Sequence, residues 1–137
     1  VGAGLFSLFL AERSHELIAI ESSPSACYDF ANNLDAYDNV RLYEGPVEEV
    51  LPALIDELPS LDLVLLDPPR AGLHPKARES LEKLNSRQII YVSCDPSTLG
   101  RDLKHLCEAG YQLTDVHLFD MFPQTYHMET VAILQRG

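Results

Sequence analysis

The sequence predicts an α/β fold with a mostly parallel sheet that ends in an antiparallel hairpin, and three observations carry that prediction. Short apolar runs alternate regularly with stretches of helical periodicity, as they do where crossover helices link parallel strands. Several of those runs stop abruptly at Ser-Pro, Gly-Pro, Asp-Pro-Pro or Asp-Pro, so the chain turns where a strand would reach the edge of a sheet. The last two runs lie too close together for a helical crossover and must therefore be antiparallel.

In chain order, Gly2-Ala3-Gly4 leads into a helix over Leu5 to Glu12 whose Leu5, Leu8, Phe9 and Ala11 are expected to face inward. A glycine pair ahead of a helix allows a ligand close to the backbone, although Phe6 and Ser7 break the full dinucleotide fingerprint. Glu16 to Glu21 is an apolar strand ending on an acid, placed where nucleotide-binding α/β folds hold ribose hydroxyls; a solvated strand end is the plainer alternative. Ser23-Pro24 then provides a helix cap and a first-turn proline, and the helix runs to about Leu34 or Ala36. Asn39 to Glu44 alternates apolar and polar residues as a half-buried strand does, Gly45-Pro46 breaks it, and Pro46 to Leu58 reads as an acidic helix.

Asp62 to Leu66 is a continuous apolar strand of the kind covered on both faces. It enters Asp67-Pro68-Pro69-Arg70-Ala71-Gly72, where two prolines stiffen the turn directly after an acid. Pro75 to Leu84 is the next helix, and His74 before it is a loop residue with no assigned role. Gln88 to Ser93 is a buried strand broken by Asp95-Pro96, so Cys94 falls at a strand's carboxyl end, the edge at which open α/β sheets bind ligands. A cysteine in a strand is more often an inert core residue than a nucleophile, and the neighbouring motifs shift that balance. Ser97 to Ala109 is a helix stopped by Gly110, with Cys107 expected in the core; Tyr111 to Phe119 and Thr130 to Leu134 form the closing hairpin.

The 137 residues suit one domain, and 46% hydrophobic content can fill a core. No apolar run approaches the roughly 20 residues that span a bilayer, and no basic-then-apolar leader opens the chain, so neither membrane insertion nor secretion is supported. Three cysteines without metal-ligand spacing fit a reducing cytoplasm and no zinc site. With 10 Lys+Arg against 21 Asp+Glu, a net charge of -11 does not attract phosphate backbones, so a nucleic-acid partner would be held largely by other segments. A start at Val1, inside what reads as a strand-to-helix turn, points to a fragment of a longer protein whose preceding strand is missing; the sheet would then have a gap between the strands ending at Glu21 and Asp67.

Three ordered motifs make the reading specific: Asp67-Pro68-Pro69-Arg70-Ala71-Gly72; Ser93-Cys94-Asp95-Pro96 with Thr98 and Arg101-Asp102; and Asp120-Met121-Phe122-Pro123 with Thr125, His127 and Glu129. Together they resemble the RNA 5-methyluridine methyltransferase family, which methylates uridine C5 in tRNA or rRNA with S-adenosyl-L-methionine (SAM). The resemblance spans nearly the whole chain as a C-terminal catalytic domain, and implies a Rossmann-like class I SAM-dependent methyltransferase fold with its first strand truncated. It implies Cys94 as nucleophile and Glu129 as general base. Gly2, Gly4, Glu21 and Asp67 would hold SAM, and Pro68 and Arg70 would shape the substrate pocket. The implied partner is RNA, and no metal is implied.

The chemistry asks for the same groups. Uracil C5 is a poor nucleophile until a thiolate adds to C6, and a base must then remove the C5 proton before the thiol can leave. The uridine must also leave its stack to reach such a pocket. Two residues depart from the family pattern. Asp95 stands where asparagine is usual, keeping a capping oxygen but adding negative charge beside the thiol, and Pro46 stands where a polar residue often meets the adenine amine. Two alternatives stay open: methylation of an exocyclic base nitrogen, since Asp67-Pro68-Pro69 resembles the motif of those enzymes with Arg70 in place of the aromatic, and a non-catalytic SAM- or RNA-binding module.

Overall fold

The computed structural model describes residues 1–120, 124 and 128–137. Met121, Phe122, Pro123, Thr125 and His127 of the third motif lie outside the described residues. The chain forms two compact units, Val1–Leu54 and Ile55–Gly137.

The first unit runs α1 (Leu5–Ala11), β1 (Leu17–Glu21), α2 (Pro24–Asn33), β2 (Val40–Glu44) and α3 (Val47–Leu54). β1 and β2 pair in parallel from Leu17 opposite Val40 to Glu21 opposite Glu44, so both strands finish on a carboxylate at the same edge. Their core is Ala11, Ala19, Phe30 and Leu34, with Leu8, Leu17, Tyr37, Val40 and Leu42 packed around it. The Ser23 hydroxyl accepts from the Ala26 N–H and caps α2, with Pro24 in its first turn as the sequence leads one to expect.

Two expectations fail here. α1 buries Ser7 and Ala11 while Leu5 and Phe9 are exposed at 66% and 64%. The reason is proximity: a side chain at Gly4 would come within 2.9 Å of both Phe30 and Leu34, so this face of the helix approaches α2 too closely for large residues. The acidic helix α3 ends at Leu54 instead of Leu58, and Pro52 within it removes a backbone donor from its last turns.

The second unit runs β3 (Leu63–Leu66), α4 (Pro75–Leu84), β4 (Gln88–Ser93), α5 (Pro96–Glu108), β5 (Tyr111–Asp120) and β6 (Met128–Arg136). Its sheet has the order β3-β4-β6-β5, with β3 and β4 parallel and β6 antiparallel to both of its neighbours. The α/β class and the antiparallel closing hairpin are thus as the sequence predicts. Period-2 alternation buries Ile89, Tyr91 and Ser93 of β4 on the same face as their ladder partners Leu134, Ala132 and Thr130 of β6. Leu81 and Leu84 of α4 and Leu99 and Leu106 of α5 are buried as well.

The strands fall into two sheets, and among the described residues β1 has β2 and β3 has β4 as its one strand neighbour. β3 is half-buried along its whole length. Cys107 is a further correction: it lies exposed on α5, because Leu99, Asp102 and Leu106 carry the buried face. Among the described residues no helix is long and apolar enough to cross a membrane.

Candidate functional site

In the first unit, the end of β1 and the turn before α1 are joined by one carboxylate. Glu21 Oε2 accepts from the Gly2 N–H at 2.8 Å and from the Val1 amino group at 2.8 Å, and Oε1 accepts from the Ser23 N–H at 2.8 Å. Burial raises the Glu21 pKa, and the N–H groups of Ser23 and Gly2 oppose it by favouring the ionised carboxylate. Gly2 and Gly4 both have positive φ, 57° and 89°, a backbone conformation that side chains rarely adopt. They differ in what faces them. Gly4 packs on Phe30 and Leu34, whereas the side-chain position of Gly2 is open, with nothing within 4 Å. The expected trio of Gly2, Gly4 and Glu21 is therefore brought together as an open glycine turn beside an ionised acid, an arrangement able to accept hydroxyl donors.

In the second unit, Asp67 follows β3 directly and opens the Pro68–Gly72 loop. Asp67 is exposed as a residue, yet protein crowded around its carboxyl raises its pKa. Pro68 is half-buried and Arg70 exposed. The loop is held from α5: the Thr98 hydroxyl donates to the Arg70 carbonyl at 2.9 Å, Arg101 Nη2 donates to the Ala71 carbonyl at 2.9 Å, and the Leu73 N–H donates to Asp102 Oδ2 at 2.8 Å. Gly72, with φ of 77°, donates its N–H back to the Pro69 carbonyl at 2.8 Å and closes the turn.

Half-buried Cys94 sits between the last residue of β4 and the cap of α5, as its sequence context predicts. Ser93 and Asp95 bracket it. The Ser93 hydroxyl accepts from the Asp95 N–H at 3.1 Å and lies 2.9 Å from the Asp95 carbonyl. Asp95 Oδ1 accepts from the N–H groups of Ser97 and Thr98 at 2.9 and 3.0 Å, and chiefly the Thr98 bond holds the Asp95 pKa low. The capping role of Asp95 is thus realised with its charge directed at helix amides.

Glu129 is the second residue of β6 and half-buried. The β4–β6 ladder runs from Gln88 opposite Gln135 to Ser93 opposite Thr130, so Cys94 and Glu129 each lie one residue beyond its last pair. Both residues thus lie at the same end of this strand pair. Sequence reasoning quoted Thr98, Arg101 and Asp102 as motif residues without giving them work. A signal was present: Asp102 is in phase with the apolar positions Leu99 and Leu106 of α5, where a charge has no place unless it is partnered. Among the described residues no group of three or more His, Cys, Asp or Glu could hold a metal ion.

The family model described as tRNA (Uracil-5-)-methyltransferase matches residues 1–137. A Streptomyces coelicolor protein described as an uncharacterized RNA methyltransferase is 46% identical over 138 residues, covering 98% of this chain and 30% of that protein. A Thermotoga maritima protein with the same description is 42% identical over 138 residues, covering 99% and 31%. The chain thus spans about 30% of the length of the curated relatives it matches. Among solved structures, the Pyrococcus abyssi tRNA (uracil-54, C5)-methyltransferase in complex with S-adenosyl-L-homocysteine superposes with a TM-score of 0.79 at 33% identity, covering 97% of this chain and 32% of that one. The N-methyltransferase NodS from Bradyrhizobium japonicum, at 14% identity and a TM-score of 0.77, shares the fold alone.

Proposed function

Because the chain belongs to the tRNA (uracil-5-)-methyltransferase family, we propose that it is the catalytic domain of an enzyme that methylates C5 of a uridine in tRNA or rRNA, using SAM and a covalent cysteine adduct. The observation that carries this reading is the β4–β6 ladder, which ends at Ser93 opposite Thr130 and leaves Cys94 and Glu129 each one residue beyond that pair, at the same end of the two strands.

Cys94 as thiolate adds to C6 of the uracil, forming a C–S bond and moving electron density to C5. When bound, SAM supplies the electrophilic methyl group that C5 acquires. Glu129 then takes the proton left on C5, the C6–S bond breaks as the ring double bond re-forms, and the thiolate of Cys94 is regenerated. The stiff Pro68-Pro69 turn supports the reading that Pro68 and Arg70 wall the uracil and that Asp67 reaches cofactor and base.

The residues present suit SAM. Gly2 leaves its backbone open to close approach, and the ionised Glu21 carboxylate, with lone pairs beyond those its three donors use, can accept from ribose hydroxyls. Two glycines with positive φ ahead of α1 provide the cradle. With a net charge of -11, this domain leaves most of the RNA affinity to other segments of the protein.

The test uses the full-length protein, SAM and RNA substituted with 5-fluorouridine. Fluorine cannot leave C5 as a proton does, so a thioether to C6 persists through denaturation. A protein–RNA adduct mapping to Cys94 is the expected result. Methylation of ordinary RNA without an adduct would instead point to an exocyclic nitrogen, and SAM binding with neither activity would point to a non-catalytic module.

A further inference from the structure

Asp102 is the one carboxylate among the described residues that is wholly buried, at 0% exposure, and the chemistry above does not use it. Its Oδ2 accepts from the Leu73 N–H at 2.8 Å and from the Tyr91 hydroxyl at 2.6 Å. Its Oδ1 accepts from Arg101 Nε at 3.1 Å and Nη2 at 3.0 Å and lies 3.7 Å from Arg78 Nη1. Burial first, then the Asp102 carboxylate, push Tyr91 well above the ordinary tyrosine range, so its hydroxyl remains a donor.

Stability alone is a weak account of this arrangement. A buried ion pair seldom stabilises more than well-packed apolar residues of the same volume would, because desolvation offsets its attraction. Directional hydrogen bonds do supply fixed geometry. Here the directions are informative: three peptide groups in four residues, the carbonyls of Arg70 and Ala71 and the N–H of Leu73, are gripped by Thr98, Arg101 and Asp102. The same carboxylate grips Tyr91, three residues before Cys94 on the strand that ends at the thiol.

We propose that Asp102 is a positioning residue of the methyl-transfer reaction, locking the Pro68–Gly72 loop to the strand that delivers Cys94 through its paired bonds to Leu73 and Tyr91. This rests on the reading of Cys94 as nucleophile. The loop would hold the uracil and the strand would hold the thiol, so their relative placement sets the approach to C6. A misplacement of about 1 Å at a reacting pair can cost about a hundredfold in rate.

The experiment uses the full-length protein and the variants Tyr91→Phe, which removes one hydroxyl, and Asp102→Asn, which keeps the shape but not the charge. Each is assayed for kcat and KM toward RNA and SAM, rate of adduct formation with 5-fluorouridine RNA, SAM affinity and thermal transition. The expected result is that kcat and the adduct rate fall together by about tenfold to a hundredfold, while SAM affinity stays within about twofold of wild type. A purely structural role would lower the thermal transition without moving kcat of the folded fraction, and that result would overturn the proposal. If Asp102→Asn does not fold, Tyr91→Phe decides. Wild type that forms no Cys94 adduct overturns the functional reading and this proposal together; a wild-type adduct with unaltered Tyr91→Phe kinetics overturns this proposal alone.

Discussion

Replacing Gly72 by alanine tests the grip on the Pro68–Gly72 loop through Arg101 and Asp102 while leaving Cys94 and Glu129 unchanged. At a φ of 77° an alanine costs about 1–2 kcal/mol, because Cβ crowds the following carbonyl. The new methyl would also sit 2.5 Å from Arg101 Nη2 and 2.5 Å from Asp102 Oδ2. Arg101 is partly exposed and can swing aside, but Asp102 is fully buried and moves only by loosening its bond to Leu73 or Tyr91. Leaving a buried polar group without its partner costs about 1–3 kcal/mol, so the total is about 2–5 kcal/mol. Gly100→Ala is the internal control: it lies within α5 with nothing within 4 Å of its side-chain position, and the same methyl there should stabilise by about 0.5–1 kcal/mol. Urea unfolding of wild type and both variants in the full-length protein gives the comparison. A Gly72→Ala loss below about 1 kcal/mol would refute the argument that α5 holds the loop rigidly.

Other consequences follow from single contacts. The N–H groups of Ser23 and Gly2 lower the Glu21 pKa from its ordinary 4.5, so its ionisation stabilises the fold above pH 4.5 and that contribution is lost as pH falls below 4.5. Two backbone N–H bonds to a partly solvent-accessible carboxylate contribute about 1–2 kcal/mol together. Glu21→Gln should therefore be less stable than wild type at pH 7 and draw closer to it as pH falls below 4.5; a gap that stays constant with pH would show that the ionised carboxylate is not responsible. Glu21→Gln should also weaken SAM binding in calorimetry, leaving adduct chemistry at saturating SAM comparatively intact. Ser86→Ala should cost about 1–2 kcal/mol in thermal unfolding, since the Ser86 and Tyr111 hydroxyls lie 2.9 Å apart and both residues are buried; no change would mean that the Tyr111 hydroxyl finds another partner.

Much of the architecture is legible in the residues because each element announces its own limits. Ser23-Pro24 starts a helix wherever it is placed, and Asp95-Pro96 must end the Gln88–Ser93 strand, which puts Cys94 at an edge before any pairing is known. What the sequence hides depends on partners. Leu5 and Phe9 have the periodicity of a buried face, but so do Gly4, Ser7 and Ala11, and only the proximity of Phe30 and Leu34 decides for the small residues. Cys107 was lost for a related reason, since Leu99, Asp102 and Leu106 turn a different side of α5 inward. That Cys94 and Glu129 lie at the same end of one strand pair is invisible locally, because it requires β6 to enter between β4 and β5. The roles of those two residues came from their resemblance to a motif; their shared place one residue past the Ser93–Thr130 pair is a separate, geometric observation.

That insertion of β6 also bears on how the domain comes into being. During synthesis β4 and α5 leave the ribosome before β6, yet β4 finds its second strand neighbour only when Met128–Arg136 has emerged. Until then the edge of β4 that carries Ile89 and Tyr91 is unpaired, and an apolar strand edge invites intermolecular pairing. The second sheet therefore closes late and from its middle, and the step that covers this edge is the same step that sets Thr130 opposite Ser93, one residue from Cys94.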